Sequence, residues 1–179
     1  MSTQFEHLLV DSIPFKVDSP LFFRHLQGAH SLVNFGVSNP EELVRILEDQ
    51  RADVEIRKYA SSFAVWLKYK PAVKSLIRIV LNDNDDVGVR HAAMVDLAVL
   101  GRTRGYKVLR QLALNDLTPT VRTSAISAIC VSPNRYAARL MREIVLNDKS
   151  DEVRAFALRS LFSIPRVNKR SVCNLLMGI

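Results

Sequence analysis

The sequence has few of the residues that mark cross-linked, low-complexity or membrane-spanning chains. Its two cysteines, Cys130 and Cys173, lie far apart and match no metal-binding or redox spacing. With 6 glycines and 7 prolines, the chain has no low-complexity tract and no obvious linker. No apolar run approaches the roughly 18 residues that a membrane-spanning helix needs. We therefore expect a soluble protein with ordinary buried thiols in a reducing compartment.

The charge and the start of the chain narrow the setting further. The first residues, MSTQFEHLLVD, lack the basic leader and the long apolar core of a signal peptide, so a cytoplasmic location is predicted. A formal net charge of +7 favours acidic partners, but it does not distinguish a protein from a nucleic acid. The 179 residues, 48% of them hydrophobic, are ample for one domain.

One stretch of the chain occurs four times. Ile79–Leu97 reads IVLNDNDDVGVRHAAMVDL, and similar segments begin at Ile46, Leu112 and Ile144. Each copy has an apolar helix end, a short polar turn with acidic residues, and then Val-Arg or Ile-Arg opening an alanine-rich segment. The arginines of the four copies recur at a nearly constant interval: Arg57, Arg90, Arg122 and Arg154. Such a regular interval predicts a stacked-repeat architecture.

Apolar residues at helical spacing predict two helices in each repeat and no strand. Helices such as 54–67 and 87–100, joined by short turns, favour an all-α fold, an α-α superhelix (solenoid) of about four helix pairs. The predicted organisation is an N-terminal cap over 1–39, pairs over about 40–69, 70–101, 102–132 and 133–165, and a C-terminal capping helix over 166–179.

Three local details follow from the same pattern. Gly101 is expected to end its helix as a C′ glycine. The helix that precedes 87–100 in the chain is expected to have a core face of Val73, Leu76, Ile77, Val80 and Leu81. Alanines at one matched position after each repeat arginine are expected to let neighbouring helices approach closely: Ala60, Ala93, Ala125 and Ala157.

The repeated motif resembles that of HEAT repeats. Its pattern, L-x-D-x-x-x-x-VR-x-x-A, is similar to the short bacterial-type HEAT repeats first described in phycobilisome lyases, over about positions 40–165. The resemblance implies alternating outer and inner helices, with the arginine-bearing helices lining a concave face. Family members mostly bind other macromolecules, while a minority attach bilin chromophores or act on DNA. The resemblance therefore leaves the activity open.

The repeated aspartates and arginines are interpreted as structural. The resemblance implies that such residues form ladders between adjacent repeats. A turn aspartate can also cap the second helix of its pair, while its charge attracts an arginine of the neighbouring unit. An active site would need these groups to converge on one point, whereas a repeat spreads them along a line. The predicted ladder consists of Asp83, Asp116, Asp148, Arg57, Arg90, Arg122 and Arg154.

A basic edge is predicted between the pairs and on the early turns of the first helices. Cations near helix N-termini oppose the helix dipole and repel one another, so such an edge suits arrays of phosphates or carboxylates. The alternative is a solvated face that aids solubility. The predicted edge includes Lys70, Lys74, Arg102, Arg104, Lys107, Arg135, Arg139, Arg166, Lys169 and Arg170.

An aromatic cluster is predicted on the second helix of the first pair. Tyr59, Phe63 and Trp66 have i, i+4, i+7 spacing beside the core stripe, and on the inner face they would form a contact platform. The predicted partner-binding set is completed by His91, Phe156 and Arg159. The alternative is that the N-terminal capping helix folds over these rings, bringing with it Phe22, Phe23 and His25.

No catalytic residue, metal site or cofactor is predicted. The histidines show no ligand spacing, and the sequence has no glycine-rich phosphate loop or nucleophile elbow. We predict a non-catalytic scaffold or adaptor that uses its inner face and basic edge to hold a protein partner of acidic character. A nucleic-acid-binding solenoid is the first alternative, and a bilin lyase or chaperone-like subunit is the second.

Overall fold

The computed structural model describes residues 20–34, 37–131 and 136–164, and for residues 20–25 it describes the backbone alone. The predicted C-terminal capping helix over 166–179 and the segment 1–19 lie outside this part of the chain. So do four members of the predicted basic edge: Arg135, Arg166, Lys169 and Arg170. The side chains of Phe22, Phe23 and His25 are likewise outside the described set.

The described residues fold as nine helices and no strand, which confirms the all-α prediction for this part of the chain. They form two compact units that divide between Gly105 and Tyr106. The first unit contains α1 Pro20–Asn34, α2 Pro40–Glu48, α3 Val54–Trp66, α4 Ala72–Val80 and α5 Val87–Leu100. Helix α6, Arg102–Asn115, continues into the second unit, which also contains α7 Pro119–Val131, α8 Ala137–Asn147 and α9 Asp151–Ser163.

Polar residues before the helices explain where several of them begin. The Asn39 side chain accepts hydrogen bonds from the backbone amides of Glu41 and Glu42 at 3.0 and 3.2 Å, which caps the start of α2. The second helices α3 and α5 begin after capping aspartates, Asp53 and Asp86. The capping aspartates are therefore not the predicted ladder aspartates, because the ladder aspartates lie earlier in the turns.

Helices within each unit stack in two layers. In the first unit, α2 packs on α3 and α4 packs on α5, so each first helix covers the second helix of its own pair. The second helices α3 and α5 also pack side by side, α1 packs on α3, and α2 contacts α4. In the second unit, α9 packs on both α8 and α7. Taken unit by unit, this stacking is that of an α-α superhelix.

The core follows the predicted stripes, with one shift. All four repeat alanines are fully buried, as expected where helices approach closely. On α4, Leu76 and Val80 are buried as predicted, but Leu81 is exposed and Ile79 is buried in its place. The predicted face of α4 was therefore wrong by a fraction of a turn, because α4 ends at Val80 and Leu81 lies beyond it.

The turn between α5 and α6 differs from the prediction. Gly101 has an ordinary helical φ of −78°, and the positive φ of 46° falls on Arg102 instead. Glycine is needed here for close packing, because a Cβ on Gly105 would collide with the backbone carbonyl oxygen of Leu97. Gly101 therefore ends α5 as predicted, but as its C-cap rather than as a C′ residue, and α6 begins directly after it.

Candidate partner-binding cleft

Three repeat arginines are buried, Arg57, Arg90 and Arg122, and two of them tie one helix pair to the turn of the next. Arg57, 2% exposed, donates to both carboxylate oxygens of Asp85 at 2.6 and 2.8 Å and to the carbonyl of Leu47. In the second unit, Arg122 donates to both carboxylate oxygens of Asp148 at 2.8 Å. These bidentate pairs form the predicted kind of ladder.

The other ladder members make contacts within their own repeat. Arg90 donates to Asp83 at 2.9 Å, and its buried Nε has no hydrogen-bond partner among the described residues. Arg154 pairs with Asp151, and Asp116 contributes its backbone carbonyl to Arg122 at 2.8 Å. The prediction that Asp83 links adjacent repeats was therefore wrong, since Asp85 holds that place in the same turn.

The pKa values of the two ladder carboxylates show why they stay ionised. The hydrogen bond from Arg57 lowers the pKa of Asp85 below its ordinary value. For Asp148, burial alone would raise the pKa, but the hydrogen bonds and charge of Arg122 outweigh it and lower the pKa. Both carboxylates are therefore engaged in structural ion pairs at neutral pH.

The aromatic cluster of α3 is largely enclosed. Phe63 is 1% exposed, so the prediction that it lies beside the core stripe was wrong. Trp66, half-buried, meets Phe63 edge-to-face with ring centroids 5.0 Å apart. The Tyr59 ring lies against α1, where a Cβ on Gly28 would come within 2.7 Å of Cδ1. This contact favours the alternative in which the N-terminal helix covers the rings.

The remaining members of the predicted partner-binding set are placed on α5 and α9. His91 is exposed on α5 in the first unit. In the second unit, the exposed Arg159 guanidinium lies 5.7 Å from the centroid of the half-buried Phe156 ring, at cation–π distance. Their role in partner binding stays a prediction.

The basic edge is partly engaged in structural contacts. Lys70 donates to the carbonyl of Leu100, the last residue of α5, at 2.8 Å. A cation at a helix C-terminus is favourable, so the expected conflict with the helix dipole does not hold for Lys70. Other described members of the edge are exposed: Lys74, Arg102 and Arg104 in the first unit, and Lys107 and Arg139 in the second.

An open cleft lies between α6 and α8 in the second unit. Its volume is about 620 Å³. It continues toward the C-terminal ends of the two helices as a further space of about 370 Å³. The main part is lined by Tyr106, Arg110, Tyr136, Arg139, Leu140, Glu143 and Asn147. Among these residues, the predicted basic edge given above contains Arg139.

Aromatic and charged groups face each other across this cleft. The rings of Tyr106 and Tyr136 lie with centroids 6.2 Å apart and planes tilted by 32°. Arg110 contacts Glu143 at 3.3 Å, with the two side chains 47% and 41% exposed. Burial raises the pKa of Tyr106. The charge of Arg110 lowers this pKa, whereas Glu143 and Tyr136 raise it further. The Tyr106 hydroxyl therefore stays a hydrogen-bond donor at neutral pH.

The cleft occupies a place that is closed in the first unit. We use the word seam for the line along which successive first helices face each other, α2 and α4 in the first unit and α6 and α8 in the second. The repeat arginine Arg154 comes two repeats after Arg90, which aligns α4 with α8. In this alignment the buried Leu76 matches the buried Leu140.

Three positions of α4 and α8 then differ sharply. On α4 they are small or apolar and buried: Ala72, Ser75 and Ile79, which are 0%, 2% and 4% exposed. Their counterparts are Tyr136, directly before α8, and Arg139 and Glu143 on α8. All three line the cleft. The sequence carried a signal for this cleft, because small or apolar residues in one repeat are replaced by aromatic or charged residues at the matched positions two repeats later.

Comparison with known proteins adds no family assignment. No protein-family model matches the sequence, and comparison with curated proteins finds no match. Over residues 20–34, 37–131 and 136–164, no three histidine, cysteine or acidic side chains come together as a metal site. In the same part of the chain, no helix combines the length and the apolarity needed to cross a bilayer.

Proposed function

We propose that the chain is a protein-binding scaffold built from HEAT-like repeats, and that it holds its partner at the cleft between α6 and α8. The proposal is carried by one observation: the seam face that is buried on α4 is replaced on α8 by Tyr136, Arg139 and Glu143, which line an open cleft. The buried arginine ladder then serves the fold rather than the partner.

The composition of the cleft supports a protein partner. Tyrosine and arginine are the residues most often found at the energetic centre of protein interfaces, because each combines a large apolar body with a polar end. Tyr106 and Tyr136 provide two such bodies, and Arg110 and Arg139 provide two cations. Closing the seam with small side chains, as α4 does with Ala72, would bury more surface and stabilise the stack.

The cellular setting of this proposal comes from composition. A net charge of +7 supports a partner with acidic groups, and the two widely separated cysteines support a cytoplasmic location. The nucleic-acid alternative is an outcome that the experiment below separates from protein binding.

The experiment compares two double variants of the tagged full chain. Proteins that co-purify from the source cell are identified by mass spectrometry, with and without nuclease treatment. The cleft variant is Tyr136→Ala with Arg139→Ala, and the matched control is Arg45→Ala with Arg78→Ala in the first unit.

We expect one protein to co-purify with the wild type and the control, and to be lost from the cleft variant. Retention of every partner by the cleft variant would contradict the proposal. Loss of the partner from the wild type after nuclease treatment would favour the nucleic-acid alternative. Thermal melting of each variant verifies that it is folded.

A further inference from the structure

We infer that the cleft binds an acidic segment of the partner protein, and that Glu143 is an internal competitor that holds Arg110 while the cleft is empty. This inference rests on the proposed function and adds the chemistry of the partner. The bound segment places a carboxylate between Arg110 and Arg139, and Glu143 gives up its contact with Arg110 when the segment binds.

The weakness of the Arg110–Glu143 contact makes this exchange possible. The two side chains meet at 3.3 Å with only one hydrogen bond, and both remain nearly half exposed. An exposed pair of this kind contributes little to stability. By contrast, Arg57 and Asp85 form a buried bidentate pair at 2.6 and 2.8 Å. A carboxylate from a partner can therefore displace Glu143 at little cost.

The donors around the cleft outnumber its acceptors. Arg110 and Arg139 carry two positive charges, while Glu143 is the single negative side chain of the main part. The Tyr106 hydroxyl stays protonated and can donate to the same anion. A carboxylate accepts up to four hydrogen bonds, so it can use both arginines and the phenol together. The two tyrosine rings then contact the apolar part of the neighbouring residues of the segment.

The far part of the cleft favours a peptide over a nucleic-acid strand. It is lined by Asn115, Asn147, Glu143 and Asp148, with apolar Leu114 beside them. A strand of phosphates following the cleft would meet the Glu143 carboxylate, which repels it, whereas the Asp148 carboxylate is already paired with Arg122. A peptide carries charge only where its side chains do. Its backbone N–H and C=O groups suit amides such as that of Asn115.

The test measures binding of labelled probes to the full chain by fluorescence anisotropy. The probes are a peptide of alternating glutamate and leucine, its lysine counterpart, and a single-stranded oligonucleotide, with inorganic phosphate as competitor. We expect the glutamate peptide to bind, more weakly as salt is raised, and the lysine peptide not to bind. Tighter binding of the oligonucleotide at the same cleft, or full displacement of the peptide by phosphate, would overturn the inference.

Three matched variants separate an internal competitor from a structural ion pair. Glu143→Gln should tighten binding of the glutamate peptide about two- to fivefold, because the competing charge is removed. Arg139→Gln should weaken it by a similar factor or more. Arg78→Gln, on the closed seam of the first unit, should leave it unchanged. Weaker or unaltered binding in Glu143→Gln would overturn the competitor role.

The outcomes also distinguish this inference from the proposed function. If the peptide fails to bind while the Tyr136→Ala, Arg139→Ala variant still loses its cellular partner, the acidic chemistry is wrong and the proposed site stands. If the peptide binds with the expected order of variants but the cellular partner is retained, the site binds acids and the proposed function is wrong.

Discussion

The seams of the two units are packed differently. In the first unit, Glu48 of α2 accepts hydrogen bonds from Ser75 and Arg78 of α4, and Ile79 is buried beside them. In the second unit, Arg110 of α6 reaches a single oxygen of Glu143 on α8, and the space around this contact is open. The first seam is closed by an ion pair with a buried serine, whereas the second leaves polar and aromatic groups on an accessible surface.

This difference separates the contacts that hold both units together from the contacts that vary between them. Both units keep a buried arginine bound to an aspartate of the following turn, Arg57 to Asp85 and Arg122 to Asp148. The seam of the first helices is not held constant in this way. A repeat stack can therefore open one seam without giving up the contacts that hold its second helices.

The largest predicted effect concerns the ladder that both units share. Asp85→Ala and Asp148→Ala each leave a buried arginine without its counter-charge, so each should lower the free energy of unfolding by about 3–5 kcal/mol. Urea unfolding followed by circular dichroism measures the loss. The control is Asp151→Ala, whose carboxylate is 90% exposed and whose partner Arg154 is 38% exposed, so it should cost at most about 1 kcal/mol. A small effect at Asp85 or Asp148 would contradict the shared structural role.

The next effect comes from exchanging residues between the seams. Ile79→Glu places a carboxylate in the buried seam of the first unit and should cost about 2–4 kcal/mol. Glu143→Ile in the second unit should change stability by less than about 0.5 kcal/mol or raise it, because the position is open. Thermal melting of the two variants measures this asymmetry. Equal costs would mean that the two seams are equally closed.

A third prediction concerns a buried carboxyl found in the first unit. Asp96 of α5 accepts a hydrogen bond from Ser61 of α3, and its counterpart one repeat later is the buried Ala128. Burial raises the pKa of Asp96 from 3.8 to about 6, and the Ser61 hydrogen bond opposes this only in part. The ionised form of Asp96 is therefore disfavoured in the folded protein.

The sign of the pH dependence follows from this raised pKa. Between pH 3.8 and about 6 the folded protein binds more protons at Asp96 than the unfolded chain does, so stability falls as pH rises through this range. Asp96→Asn removes the dependence and should stabilise the protein at pH 7.5 by at most about 3 kcal/mol. At pH 4 it should bring no such gain. Urea unfolding at the two pH values measures both, and an equal effect at each would contradict the argument.

The smallest predicted effect tests the covered aromatic cluster against the open cleft. Gly28→Ala forces a Cβ into the Tyr59 ring and should cost about 1–2 kcal/mol. In a Tyr59→Ala background the same change should cost clearly less, because the ring that it meets is gone. Thermal melting of the wild type, the two single variants and the double variant completes the double-mutant cycle. Additive costs would show that α1 does not lie against Tyr59.

The fold could be predicted because the repeat imposes its pattern on every pair. Predicted helices over 54–67 and 87–100 match Val54–Trp66 and Val87–Leu100 closely, since buried alanines recur at one matched position after each repeat arginine. The ladder partner of Arg57 could not be predicted, because the turn between α4 and α5 holds three aspartates. Residue order does not show which of them faces the arginine. Packing decides in favour of Asp85.

The cleft could not be recognised from single residues. Tyr136 and Glu143 carry no motif, and Arg139 looked like one cation among many on a basic edge. Their meaning comes from the positions that they replace on α4, and the burial of those positions is known only from the structure. Tyr59 shows the reverse case, since its spacing resembled that of a surface platform while the contact with Gly28 places it under α1.

The most direct test closes the second seam with the residues of the first. The triple variant Tyr136→Ala, Arg139→Ser, Glu143→Ile gives α8 the face that α4 presents at Ala72, Ser75 and Ile79. Its melting temperature and its binding of the glutamate–leucine peptide are measured on the same sample. We predict an unchanged or higher melting temperature together with loss of peptide binding. A folded triple variant that binds the peptide as tightly as the wild type would contradict the account.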